Sequence, residues 1–170
     1  DFLSDAEKAS IKQFTQQVDS TPIKTRVGFV SLLDDSAVKR FANIYSKNKL
    51  LARNLQVGAS KLFDAGMLSN QRLNALVKTV DDFSIQELNG LKHTIDELRR
   101  GDTGAVWELE GAAILKKQGN NILELNEEFK LTQIRDVEKW NGDVTILRNQ
   151  KKTLYEMKGW DWSDTTINAK

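Results

Sequence analysis

The chain has 170 residues, of which 39% are hydrophobic and 29% are charged, enough for one ordinary domain or two small ones. It has no cysteine and one histidine, His93, which excludes disulfides, thiolate metal sites, cysteine nucleophiles and two-histidine ribonuclease chemistry. The net charge of +1 does not favour a general polyanion binder, and no apolar run approaches the roughly 18 residues of a membrane helix. Any metal site must use oxygen ligands, which favours Mg²⁺ or Mn²⁺ over structural zinc.

The first 100 residues have the pattern of a helical module. Ser4 and Glu7 in "SDAE" form a capping box, which predicts the start of a helix. Asp34, Asp35 or Ser36 can cap the next helix, which we expect to run continuously through "AVKRFANIYSKNKLLARNL" because its apolar residues recur at helical spacing. The first module is therefore predicted to be all-helical.

A second capping box, from Ser84 to Glu87, is predicted to open the last helix of this module. Gly101 is expected to end that helix, because glycine is favoured just after a helix terminus. The apolar stripe of the helix consists of Leu88, Leu91, Ile95 and Leu98. The residue pattern changes after Gly101, so we place a domain boundary there, between residues 1–100 and 101–170.

The second module is predicted to hold one helix and three strands. "GAVWELEGAAILKKQG" reads as a helix that ends at Gly119, and "NILEL", "NGDVTIL" and "TLYEMK" read as strands rich in β-branched and aromatic residues. "RNQKK" is turn material between the last two strands. The fold class predicted for the whole chain is α+β.

Four charged residues lie on these elements with a recognisable spacing. They are Glu108 on the helix, Asp143 on the second strand, and Glu156 and Lys158 on the third. The pattern resembles the PD-(D/E)xK nuclease superfamily, which includes restriction endonucleases and archaeal-type Holliday-junction resolvases. The resemblance covers about residues 104–160, and Gly142 stands where the superfamily name has proline. It implies a small restriction-endonuclease-like α/β core, with a helix followed by a three-stranded mixed sheet.

The resemblance also implies roles for these residues. Asp143 and Glu156 would bind Mg²⁺ or Mn²⁺, and Lys158 would orient the attacking water and offset developing negative charge. Strand geometry agrees with this assignment, because alternate residues share a face. Glu156 and Lys158 should therefore point the same way, with Met157 directed into the core.

The helix carries two acids, and helix geometry distinguishes them. Glu108 and Glu110 lie roughly 200° apart, so only one can face inward. Glu108 shares its face with Ala112 and Leu115, whereas Glu110 shares its face with Lys117. We assign Glu108 to the site and keep Glu110 as the second choice.

Nucleic-acid contacts are the least specific prediction. Arg148, Lys151 and Lys152 form a basic cluster at the turn, and Trp140 lies beside the presumed active strand. A solvated turn explains the lysine pair more simply than a phosphate contact does. His93 lies in a charged helix and is predicted to be a surface residue.

The organisation resembles the C-terminal toxin region of a contact-dependent growth inhibition (CdiA-type) effector. That resemblance implies delivery from a secreted or cell-surface protein, passage into the target cell through the helical module, action in the target-cell cytoplasm, and a cognate immunity protein. The substrate would be nucleic acid, with DNA favoured over tRNA, and no stable membrane insertion is expected. The chain lacks an initial methionine, and only 12 residues follow Lys158. We therefore expect a fragment of a longer protein, and two readings of the short C-terminus stay open: the nuclease domain is incomplete there, or the first half of the chain supplies the missing cover.

Two alternatives stay open. The chain could be a helical protein-interaction module with a non-catalytic α/β appendage, in which case Lys158→Ala would change nothing. It could also be a housekeeping resolvase or restriction-type subunit, which predicts a symmetric dimer and structure-selective cutting.

Overall fold

The structure is a computed structural model that describes residues 28–130 and 139–157. Five helices precede a three-stranded sheet, which confirms the predicted α+β class. After a short 3-10 helix at Phe29–Leu32, the elements are α1 (Asp35–Lys47), α2 (Lys49–Asp64), α3 (Asn70–Ile85), α4 (Leu91–Arg100), α5 (Gly104–Lys117), β1 (Asn121–Lys130), β2 (Lys139–Arg148) and β3 (Lys151–Tyr155). The helix predicted from Ser4 lies outside the described residues.

The continuous second helix predicted from the sequence is wrong, because it is divided at Asn48 into α1 and α2. Asp34 caps α1 by accepting the N–H of Ala37 at 2.7 Å. Asn48 has an extended backbone, and its side chain accepts the N–H of Leu51 at 3.0 Å. A capping asparagine satisfies the free N–H groups of a new helix, so the chain turns there although the apolar spacing continues.

The second predicted capping box is also wrong. Ser84 lies inside α3, where its hydroxyl donates to the carbonyl of Asp81 at 2.9 Å. The next helix, α4, begins at Leu91, directly after Gly90, whose φ is +80°. A β-carbon at Gly90 would lie 1.8 Å from the carbonyl oxygen of Leu125 on β1. Glycine is therefore required at position 90 for two reasons. The backbone there approaches strand β1 closely, and the turn needs a positive φ.

The start of α4 is joined to the edge of the sheet. The N–H of Leu125 donates to the carbonyl of Asn89 at 3.0 Å, and Asn89 forms an isolated parallel bridge with Glu124. On its other side α4 approaches α2 closely, since a β-carbon at Gly58 would lie 2.3 Å from the carbonyl oxygen of Leu98. The position of α4 is thus fixed between α2 and β1.

The buried apolar side chains form one hydrophobic core that extends from the first helices to the sheet. Its largest fully buried members include Phe41, Phe83, Ile95, Leu109, Leu125 and Ile146. Gly101 ends α4 with a φ of +94°, and Gly119 follows α5 with a φ of +85°, as predicted for both helix ends. The division of the chain into two domains at Gly101 stays a prediction.

The sheet has the order β1-β2-β3, and both strand pairs are antiparallel. Asn149 and Gln150 connect β2 to β3 with φ values of 50° and 63°, which is the backbone of a tight type I′ hairpin. Parallel pairing in the described ranges is limited to the single bridge at Asn89, so the predicted mixed sheet is not confirmed. None of the described helices is both long and apolar enough to span a membrane.

Candidate active site

Helix α5 places Glu108 on its inward face. The residue is only 5% exposed, and its neighbours on that face, Ala112 and Leu115, are buried in the core. The Oε1 atom of Glu108 is buried and has no hydrogen-bond partner among the described residues. A buried carboxyl oxygen without a partner carries a free-energy cost, because it has lost its hydration without replacement.

The carboxyl of Glu108 lies within electrostatic reach of Asp143. Burial, followed by repulsion from Asp143 and then Glu97, raises the pKa of Glu108 to about 8. Hydrogen bonds with the Thr94 hydroxyl and the Asn126 backbone N–H oppose this increase only in part. The structure therefore places the helix acid within electrostatic reach of the strand acid that the sequence singled out.

Asp143 and Glu156 are neighbours across the β2–β3 hairpin. Val144 pairs with Tyr155, so the next position places Asp143 beside Glu156, just beyond the end of β3. Asp143 also accepts a hydrogen bond from the backbone N–H of Met157. This bond holds the segment after β3 against the acid on β2.

The side chains after β3 alternate as the sequence predicted. Met157 is 6% exposed and lies against Gly111 of α5, where an added β-carbon would meet its sulfur at 2.4 Å. Glu156, the preceding residue, is exposed. Lys158 lies outside the described residues, so its shared face with Glu156 stays a prediction.

Glu110 lies on the other side of α5. It forms a two-pronged ion pair with Arg72 of α3, with N–O distances of 2.8 and 2.9 Å. The pair lines a groove of about 800 Å³ between α3 and α5. The structure therefore does not bring Glu110 to Asp143.

The basic turn lies at the far end of the hairpin from the carboxylates. Arg148, Lys151 and Lys152 are exposed, and Arg148 is five residues along β2 from Asp143, which corresponds to about 17 Å in a strand. The predicted nucleic-acid contacts are thus not adjacent to the acids. Trp140 is part of β2, but its side chain lies outside the described part of the structure.

Three residues near Glu108 were not identified from the sequence: Thr94 and Glu97 on α4, and Asn126 on β1. The amide of Asn126 donates to Glu97 Oε2 at 3.4 Å. The Nε2 atom of His93 lies 3.2 Å from Glu97 Oε1, and the His93 side chain is 58% exposed, which agrees with its predicted surface position. No sequence pattern indicated that Thr94, Glu97 and Asn126 lie near Glu108, because the segment of α4 belongs to the predicted helical module and Glu108 to the second module.

The donor atoms suit a hard cation. Asp143 and Glu156 offer carboxylate oxygens, which Mg²⁺ and Mn²⁺ prefer, and the buried Oε1 of Glu108 has no hydrogen-bond partner among the described residues. Within residues 28–130 and 139–157, no group of three or more acidic or histidine side chains is arranged as a complete metal site. Mg²⁺ is commonly held by one or two carboxylates together with water and substrate phosphate, so the donors present fit it.

Comparison of the chain with protein-family models, curated proteins and solved structures finds no match.

Proposed function

We propose that the protein is a metal-dependent endonuclease of the PD-(D/E)xK type that hydrolyses phosphodiester bonds, with DNA favoured over tRNA. The observation that carries this proposal is the buried Glu108 carboxyl beside Asp143, with its pKa raised to about 8. A carboxyl with a strongly raised pKa next to a second acid is typical of a functional site, since a purely structural core gains nothing from this repulsion.

Each residue of the site has a role in this reaction. Asp143 and Glu156 would hold Mg²⁺ or Mn²⁺, which when bound polarises the phosphate and lowers the pKa of water. Glu108 is poised to hold or release a proton near neutral pH, because its pKa lies close to that range. Lys158 orients the attacking water and offsets the negative charge that develops on the phosphate.

A cleavage assay tests the proposal. The purified chain is incubated with plasmid DNA or total tRNA in the presence of Mg²⁺, Mn²⁺ or EDTA, beside three variants: Lys158→Ala, Glu108→Gln and Glu110→Gln. We expect metal-dependent cutting of one substrate that is lost in the first two variants and retained in Glu110→Gln. Equal cutting by Lys158→Ala and the wild type would contradict the assignment.

We further propose that this nuclease is the toxin of a contact-dependent growth inhibition effector, delivered from a secreted or cell-surface protein to the target-cell cytoplasm. A cognate immunity protein would then cover the carboxylates. Expression of the chain inside bacteria should arrest growth, and Asp143→Asn should relieve the arrest. Growth arrest that persists in that variant would exclude nuclease activity as its cause.

A second candidate is a protein-interaction module with a non-catalytic sheet. The groove between α3 and α5 favours it, because five Arg and Lys side chains and two carboxylates surround an apolar floor there. Arg40, Arg72 and Lys78 already form ion pairs with acids of the chain, and an acidic protein segment would compete for them and bind Lys116 and Lys117 beside them. This function predicts no metal-dependent cleavage, and binding that is weakened by Arg72→Ala but unaffected by Asp143→Asn.

A further inference from the structure

The Glu108 carboxyl is contacted by two groups from outside its own helix. One is the hydroxyl of Thr94 on α4, and the other is the backbone N–H of Asn126 on β1. Thr94 is fully buried, and its hydroxyl also lies 3.3 Å from the carbonyl of Gly90, one turn earlier. The single proton of this hydroxyl is donated either to the Gly90 carbonyl or to the Glu108 carboxylate, and the hydroxyl oxygen can accept a hydrogen bond from Glu108 when that carboxyl is protonated.

The backbone of Asn126 is unusual for a strand residue. Its φ is +52°, a left-handed conformation that asparagine tolerates better than most residues and that is frequent at functional sites. Leu125 pairs with Val144 and Glu127 pairs with Gly142, so Asn126 lies opposite Asp143. The left-handed backbone of Asn126 is therefore located where β1 passes Asp143 and Glu108.

The position of Asn126 is fixed from both sides. The preceding residue, Leu125, donates its N–H to Asn89 at the start of α4. The side-chain amide of Asn126 donates to Glu97 Oε2, three residues after Thr94 on the same helix. Helix α4 and strand β1 thus approach Glu108 as one connected unit.

We propose that Thr94 and Asn126 are positioning residues that hold the Glu108 carboxyl toward Asp143, an assignment that rests on the proposed nuclease function. Neither residue touches the substrate in this assignment. Thr94 acts through its hydroxyl, and Asn126 acts through the left-handed backbone that directs its N–H to Glu108. Outer-shell partners of this kind typically contribute at least about tenfold to activity or metal affinity.

The first test compares Thr94→Val with Thr94→Ser. Valine keeps nearly the same volume without the hydroxyl, whereas serine keeps the hydroxyl. At saturating Mg²⁺ we expect kcat to fall about tenfold in Thr94→Val, with an unchanged KM for nucleic acid because Thr94 is buried, and to be retained in Thr94→Ser. A lowered melting temperature with unchanged kcat would show a merely structural role and overturn the proposal.

A second measurement does not depend on cleavage. The ¹³C resonance of the Glu108 carboxyl is followed in the metal-free protein, where Thr94→Val and Asn126→Ala should shift it and Thr94→Ser and Asn126→Gly should not. Glycine retains the left-handed backbone, whereas alanine strains it. An unchanged resonance in Asn126→Ala overturns the proposal even if Thr94→Val does not fold. If the wild type cuts no nucleic acid, the nuclease function fails while this measurement still decides whether the two residues position Glu108.

Discussion

Replacement of Glu108 by glutamine should stabilise the metal-free protein, and increasingly so as the pH rises. The two side chains have nearly the same shape, so packing on the inward face of α5 is kept. Glutamine cannot ionise, and it therefore avoids both the burial of a charge and the repulsion from Asp143. If Glu108 is retained for function, its replacement should raise the free energy of unfolding and abolish activity.

The magnitude follows from the difference between the folded and unfolded pKa of Glu108. The pKa is about 8 in the folded protein and has an ordinary value of 4.5 in the unfolded chain, so the folded state binds more protons between these limits. The free energy of unfolding of the wild type therefore falls as the pH rises through this range. At about 1.4 kcal/mol per pH unit, the loss is roughly 3 kcal/mol at pH 7 and about 5 kcal/mol above pH 8. Below pH 4.5 both states are protonated, and the cost disappears.

The assay is urea denaturation of wild type and Glu108→Gln in EDTA, at pH values from about 4 to about 9. The difference between the two unfolding free energies is compared across pH, because the pH-independent cost of burying an amide then cancels. We expect this difference to grow by about 3 kcal/mol between pH 4.5 and pH 7. Glu110→Gln, on the same helix but paired with Arg72, is the matched control and should show no comparable increase. A pH-independent difference for Glu108→Gln would refute the reasoning.

Four further outcomes are expected. Asp143→Asn should abolish Mg²⁺-dependent cleavage without unfolding the protein, as circular dichroism can verify, because asparagine keeps an oxygen that accepts the Met157 N–H. Glu156→Gln should also abolish cleavage while the protein stays folded, since the side chain is exposed; retained cleavage would remove Glu156 from the site. Gly58→Ala should lower the free energy of unfolding by about 1–3 kcal/mol, because the new β-carbon meets a backbone carbonyl of α4. Gly111→Ala should cost less in the same denaturation experiment, since its neighbour there is the flexible end of a methionine.

Local signals in the sequence predicted the second half of the fold well. The helix before Gly119 and the three strands follow from residues close together in the chain, and the predicted turn RNQKK is shortened to Asn149 and Gln150 because Arg148, Lys151 and Lys152 belong to the strands. The errors in the helical half have a different cause. Asn48 begins a new helix through its own side chain while the apolar spacing continues past it, and the start of α4 at Leu91 depends on a close approach to β1 that is distant in the chain.

The same distinction applies to the site. Helix periodicity was sufficient to place Glu108 inward, and hairpin register was sufficient to place Asp143 beside Glu156. Thr94 and Asn126 could not be found this way, because a threonine within a helix and an asparagine within a strand are common residues without a distinctive spacing. Their contact with Glu108 depends on how α4 and β1 pack against α5, which residues close together in the chain do not reveal.

The energetic cost of Glu108 bears on the choice between an enzyme and an interaction module. A cost of roughly 3 kcal/mol at neutral pH is a large share of the 5–15 kcal/mol that stabilises an ordinary domain. In a non-catalytic appendage, a leucine or methionine on the same face of α5 would remove that cost. A bound divalent cation would instead offset the repulsion between Glu108 and Asp143, and would stabilise the folded chain by about 2.7 kcal/mol at one hundred times its Kd. The buried acid would therefore only destabilise an interaction module, whereas in a nuclease it would also take part in the reaction. This difference is our physical reason for preferring the nuclease.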